Sequence, residues 1–202
     1  MSCREGAVYC WGAGSKGQLG LGPDKVTRLS SPTRLCSLAS ATDVFCGQYF
    51  TIVKLAAGEI VGFGDNKHQQ VCADPALRTV TEPRQLAGLS AEDEVSCGWT
   101  HLAVTGRGGE VSVRGRDNYH QRGGGGGGVV MRGVVRALAG SEHCVCLTSE
   151  GAAWAWGWNE HGSCGLEPGA DTECVARPAR LPLDNVTAIF VGSAHCFAVA
   201  AE

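Results

Sequence analysis

Although 11 of its 202 residues are cysteine, the chain contains no Cys-x-x-Cys pair. The nearest approach, Cys144-x-Cys146, would put both thiols on one face of a strand, a poor chelate without further ligands close by. No metal or other cofactor is therefore expected. An odd number of cysteines in a chain of this length, with no signal peptide in view, points to reduced thiols acting as small buried hydrophobes. The segment Met1-Ser2-Cys3-Arg4-Glu5 carries an acidic residue and leads into no apolar h-region, so a secretory signal is not expected. The longest uncharged run, Asn185 to Ala201, includes Gly192, Ser193 and His195 and falls short of a bilayer span. These absences lead to the expectation of a soluble intracellular protein, cytoplasmic, with the nucleus as a second setting.

Charge is also scarce. Lys and Arg number 17 against 20 Asp and Glu, a net of −3, and the charged fraction of 18% lies below the usual quarter. That balance gives no footprint for nucleic acid. Proline occurs only 7 times and glycine follows no G-X-Y period, which excludes collagen, while 44% hydrophobic residues exclude wholesale disorder. The length is ample for one domain with a real core.

What the sequence has in excess is glycine, 30 residues, about twice the usual share. Much of it is periodic. A first anchor, Gly followed three residues later by an aromatic residue or His and then an apolar run, starts at Gly47, Gly98, Gly140 and Gly192, with intervals of 51, 42 and 52 residues. A second anchor ends at Gly12, Gly64, Gly115 and Gly157, with intervals of 52, 51 and 42, so both report the same unit. A polar tract with Gly or Gln follows each second anchor, as in Gly12-Ala13-Gly14-Ser15-Lys16-Gly17-Gln18-Leu19-Gly20. Pro23, Pro75 and Pro168 each fall 11 residues after their glycine, and Pro32, Pro83 and Pro178 open related strings ending in Leu.

Each unit holds apolar runs of four to six residues separated by Gly, Asn, Asp and Pro turns, and no segment keeps a helical period. Thr105–Gly108 and Thr148–Gly151 are the expected hairpin turns. Several short strands repeated about every 50 residues are the mark of propeller blades. The expected fold is all-β, a beta-propeller of about four blades in one domain. Its units run over 1–45, 46–96, 97–138 and 139–190 with closing strands at 191–202, the N- and C-terminal strands sharing one blade. The third unit has only 25 residues between Gly115 and Gly140 and carries the six glycines of 123–128, read as a linker.

Three strings carry a resemblance: Gly-Ser-Glu-His at 140–143, Trp-Gly-Trp-Asn-Glu-His-Gly at 156–162, and Trp-Gly-Ala-Gly-Ser-Lys-Gly-Gln-Leu-Gly-Leu-Gly at 11–22. They resemble the regulator of chromosome condensation repeat family, over nearly the whole chain. Members usually have about seven blades, whereas this chain has material for four. Residues 157–165 are similar to the closing repeat of two branches, the fungal alpha-tubulin suppressor-like proteins and the secretion-regulating guanine nucleotide exchange factors. Val61–Asn66 and Cys97–Trp99 lean to the first. That branch implies a non-enzymatic platform whose partner is a CSL zinc-finger protein, serving diphthamide synthesis and Elongator-dependent modification of the tRNA wobble uridine. The second implies nucleotide exchange on a small Ran-like or Rab-like GTPase. In either case the partner is a protein, with no direct nucleic acid and no membrane.

Candidate residues divide into two groups. His101, His143 and His195 recur at one repeat position beside Gly98, Gly140 and Gly192, as Phe50 does beside Gly47, which indicates a shared structural role such as a link between neighbouring blades. No orienting partner for catalysis lies near them in sequence, so no catalytic residue is assigned. Gly12–Gly17 superficially resembles a phosphate loop but lacks the Gly-Lys-Ser/Thr ending, and reads as a turn. The candidates for protein binding are the loop residues Trp99, Asp117, Tyr119, His120, Trp158, Asn159, Glu160 and His161, because Trp and Tyr in loops are common anchors of protein contacts.

Overall fold

The computed structural model describes residues 6–22, 26–124, 126–166 and 173–202; Pro23, Pro168 and Gly125 lie outside them. Every regular element among these is a β-strand. The chain divides into two compact units, residues 1–92 and 93–202.

In the first unit, β1 (Tyr9–Ala13) pairs with β2 (Arg28–Arg34) as a two-stranded antiparallel sheet. The strands β3 (Ala41–Cys46), β4 (Phe50–Leu55), β5 (Ile60–Asp65) and β6 (Thr79–Gln85) then form a four-stranded meander. The second unit begins with a meander of β7 (Glu94–Cys97), β8 (His101–Thr105), β9 (Val111–Gly115) and the short β10 (Val129–Met131). A second meander, β11 (Val134–Ala139), β12 (His143–Thr148), β13 (Ala153–Trp158) and β14 (Cys174–Arg180), follows, and then the two-stranded pair β15 (Val186–Val191) and β16 (Cys196–Ala200). These are propeller-type sheets, each a sequential antiparallel meander.

Position within a sheet explains the sequence of each strand. The middle strands β5, β8 and β12 are buried almost throughout, and they read as unbroken apolar runs because both faces are covered. The last strands β2, β6 and β14 are largely exposed and carry the second set of prolines, Pro32, Pro83 and Pro178. Proline cannot donate to a ladder and is tolerated at such edges and bulges. The pairing register shifts at these points, between Gly62 and Gly64 opposite β6 and between Ala155 and Gly157 opposite β14.

The two anchors have separate physical causes. At Gly140 a Cβ would collide with the imidazole of His143, which folds back over the glycine, and the same holds at Gly98 with His101. At Gly157 the backbone takes φ +103°, and a Cβ would lie 2.7 Å from the carbonyl oxygen of Glu142 on β12's approach. Because the first anchor sits at the turn between the first and second strands, units counted from it are offset by one strand from the sheets. The expected hairpins connect β8 to β9 and β12 to β13; Gly109 and Gly151 take the positive φ, rather than Gly106 or Gly108 in the first. Gly123, Gly124, Gly126 and Gly127 lie in turns before β10, and Gly123 is buried against Val130 and the indole of Trp156.

Candidate functional site

The loop after the second anchor is held by one device in every four-stranded sheet. Oδ1 of Asn66 accepts from the N–H groups of Val71 and Cys72 (3.0 and 2.8 Å), Oδ1 of Asp117 accepts from Arg122 (2.9 Å), and Oδ1 of Asn159 from Cys164 (2.9 Å). Asp117 and Asn159, two of the candidate binding residues, thus spend a side-chain oxygen clamping their own loops. The chain then passes through a left-handed residue, Gln69, His120 or Gly162, at the same offset. His120 holds φ 61° there, a conformation uncommon outside glycine.

Clamped in this way, the β9–β10 and β13–β14 loops bring side chains together. The ring of Tyr119 lies 6.2 Å from that of Trp158, and Trp158 meets His161 edge-on at 5.0 Å. The guanidinium of Arg116 sits 5.3 Å above the Tyr119 ring. Tyr119 and Trp158 are half-buried, while Glu160 and His161 are exposed beside them. The result is a ridge of three aromatic rings crossing from one sheet to the next. Trp99, in the β7–β8 loop, is exposed and takes no part in this ring cluster, although its N–H donates to Ser141 (3.0 Å).

The ridge rests on Glu142, which the sequence reading passed over. Its buried carboxylate accepts from Nη1 of Arg116 (3.2 Å), from the Thr100 hydroxyl (3.2 Å to Oε2), and from the side-chain amide of Gln121. Gln121 also accepts from the Tyr119 N–H (2.9 Å), and its carbonyl receives the indole N–H of Trp156 (2.7 Å). A buried carboxylate with this many donors is a fixed point under an otherwise mobile class of side chains.

The recurrent histidines sit elsewhere. His101 is fully buried, and burial pushes its pKa down to about 4. His143 is shifted to about 4 by burial and by His195, and its Nε2 lies 3.1 Å from Sγ of Cys196 on the neighbouring β16. Burial raises the Cys196 thiol to about 11, so both members of this pair are uncharged at neutral pH. An activated thiolate and imidazolium would need the opposite shifts. The His143–Cys196 contact thus joins neighbouring sheets, and the backbone one residue after Gly98 and Gly140 adds further links: Trp99 donates to Ser141, and Ser141 to Ser193 (3.2 Å).

This is the geometry in which the comparisons with known proteins can be placed. The pattern of the Regulator of chromosome condensation (RCC1) repeat matches residues 5–53 and 150–199. These two stretches carry the RCC1 repeat. It is 28% identical over 207 residues to the Arabidopsis thaliana ultraviolet-B receptor UVR8, covering 96% of this chain and 47% of that protein. It is 26% identical over 173 residues to the Mus musculus secretion-regulating guanine nucleotide exchange factor, covering 71% and 35%. Among solved structures, human WBSCR16 superposes with a TM-score of 0.79 at 25% identity, over 98% of this chain and 54% of that one. The chain thus spans between about a third and a half of the length of these relatives. The all-β propeller fold expected from the anchors, and its RCC1 type implied by the resemblance, are those observed. No helix among the described residues is long and apolar enough to cross a membrane.

Proposed function

We propose that this RCC1-repeat chain is a protein-interaction platform, working without chemistry of its own, and that the Tyr119–Trp158–His161 ridge is where its partner docks. The observation that carries this reading is the ridge itself: aromatic rings from two adjacent loops, with outer edges open, braced from below by Arg116 and the buried Glu142. Rigid, partly exposed Tyr and Trp offer large contact area at little entropic cost. The partner we propose is a CSL zinc-finger protein acting in diphthamide synthesis and wobble-uridine modification, in the reducing cytoplasm. The support for it is the similarity of residues 157–165, 61–66 and 97–99 to the alpha-tubulin suppressor-like branch. Zinc and electron transfer would then belong to the partner.

The test is co-purification with a CSL zinc-finger protein under reducing conditions, followed by titration with Trp158→Ala. Binding that weakens at least tenfold in the variant, equivalent to about 1.4 kcal/mol, is the expected result. Absence of binding by the parent chain rejects the partner. A second reading is favoured by the relationship to the mouse exchange factor: a surface that stabilises a nucleotide-free GTPase. Nucleotide-release assays on Ran-like and Rab-like GTPases separate the two, since a CSL-type platform leaves release rates unchanged.

A further inference from the structure

The last strands β2, β6 and β14 share one irregularity. In each, three residues stand against a single residue of the partner strand: Ser30–Pro32 against Trp11, Thr81–Pro83 against Phe63, and Ala176–Pro178 against Trp156. The middle residue of each bulge, Ser31, Glu82 or Arg177, is exposed. Because β6 and β14 close complete four-stranded sheets, this exposure belongs to the position itself, a bulge on an outer strand.

What occupies the middle of the bulge differs. Glu82 and Arg177 are charged, and each lies along a glycine of the preceding loop in its own unit: a Cβ built on Gly22 would be 3.3 Å from Oε1 of Glu82, and one on Gly124 would be 3.3 Å from Cγ of Arg177. In β2 the same place holds a hydroxyl. The Ser31 carbonyl accepts from the Thr33 hydroxyl (3.2 Å), but among the described residues no hydrogen bond holds the hydroxyl of Ser31 itself.

The flanks of this hydroxyl form a recognisable set. Of the 7 prolines, only Pro32 follows Ser or Thr, and the exposed Arg28 and Arg34 stand three residues to either side of Ser31. All of Arg28–Arg34 is extended, the shape in which a protein kinase holds its substrate. Proline after the acceptor residue brings no N–H into the kinase cleft, so a cleft without an acceptor at that point selects it over residues whose N–H would be left unpaired. An arginine three positions on can pair with a carboxylate of the enzyme.

We propose that Ser31 is a phosphorylation site, the substrate of a proline-directed kinase that also reads the basic residue at Arg34. Oγ of Ser31 attacks the γ-phosphorus of ATP, the bond from that phosphorus to the bridging oxygen breaks, ADP leaves, and the hydroxyl proton passes to the catalytic carboxylate of the kinase. The phosphoserine carries about −1.5 to −2 charges at neutral pH. Charge then stands where β6 and β14 carry theirs permanently. Since Ser30, Ser31 and Pro32 have no opposite number in the β1–β2 ladder, the phosphate changes the surface of the sheet and leaves its pairing intact.

The test takes the purified full chain, ATP and a cyclin-dependent kinase as the probe. One phosphate per chain is expected, located on Ser31 by tandem mass spectrometry. Ser31→Ala should take up none, while Ser30→Ala, which keeps the Ser31-Pro32 pair, should be labelled like the parent. Pro32→Ala should lower kcat/KM for the chain at least about tenfold. Arg34→Glu should lower it as well, and Arg84→Glu on β6 should not. Circular dichroism matching that of the parent shows that each variant is folded. Chain recovered from dividing eukaryotic host cells under phosphatase inhibition should carry the same mark. Phosphate placed elsewhere than on Ser31, labelling indifferent to Pro32→Ala, labelling that appears only once urea has unfolded the chain, or an unmodified Ser31 in the recovered chain overturns the assignment.

Discussion

Nε2 of His143 and Sγ of Cys196 lie 3.1 Å apart, an imidazole and a thiol that are both kept neutral by burial. His101, at the same repeat position one sheet earlier, is likewise held at a pKa of about 4. The sign of the resulting pH dependence follows directly. In the unfolded chain these imidazoles protonate near 6.5, so below that pH the unfolded state binds protons that the folded state refuses. The stability associated with them is intact above pH 6.5, is lost progressively as pH falls towards 4, and changes no further below it. Each contributes a loss on the order of 3 kcal/mol. Urea midpoints measured between pH 7.5 and 4 should fall through this window, and His143→Gln should flatten part of the slope. A midpoint that rises on acidification contradicts the assignment.

Thiol reactivity should follow burial. Burial raises the pKa of Cys144 and Cys146, and takes that of Cys164 up to about 12, while Cys36 and Cys46 are exposed. Iodoacetamide at pH 8 is expected to label Cys36 and Cys46 first, with Cys144, Cys146 and Cys164 protected until denaturant is added. Peptide mass spectrometry over a time course reads the order.

The anchor glycines should not tolerate even one methyl group. In Gly140→Ala the new Cβ meets the His143 ring, and in Gly157→Ala it meets a main-chain carbonyl at φ +103°. A loss of about 2 kcal/mol or more is expected for each. Gly162, at φ +70° with nothing within 4 Å of a Cβ, has only the conformational term, about 1 kcal/mol when replaced by Ala. Thermal melts of the three variants establish the order.

Removing the carboxylate under the aromatic ridge should loosen it. Glu142→Ala leaves the mostly buried Arg116 guanidinium and the Gln121 amide without their acceptor. A destabilisation of about 2 kcal/mol is expected, below the full cost of a broken buried pair because Arg116 keeps 28% of its side chain exposed. Tryptophan fluorescence should report a change at Trp158 before global unfolding. An unchanged spectrum and midpoint would show that Glu142 braces nothing.

The fold was legible because its two anchors are steric necessities. A ring folded over Gly47, Gly98, Gly140 and Gly192, and a carbonyl against Gly64, Gly115 and Gly157, forbid any larger residue, so the same letters return from unit to unit. The sheet boundaries were harder to read, since the anchor marks a turn inside each sheet rather than its start. At the candidate site, the aromatic ridge was visible as Trp and Tyr departing from the repeat average. Asp117 and Asn159 stood among the protein-binding candidates, yet Asn66 at the same offset marks a common loop clamp. Glu142 had no such signal. Tyr49, Thr100 and Ala194 stand at its position in the other units, and its importance arises only where Arg116 and Gln121 converge on it in space.

The main-chain bonds from Trp99 to Ser141 and from Ser141 to Ser193 make no demand on side-chain identity at either end. This bond alone therefore needs no matched pair of residues, unlike the contacts that Thr100 and Arg116 make with Glu142 across the same junction. A gene encoding such sheets can gain or lose a whole one by recombination and still join the flanking pair by the same bond, so blade number in this architecture is free to change faster than blade sequence.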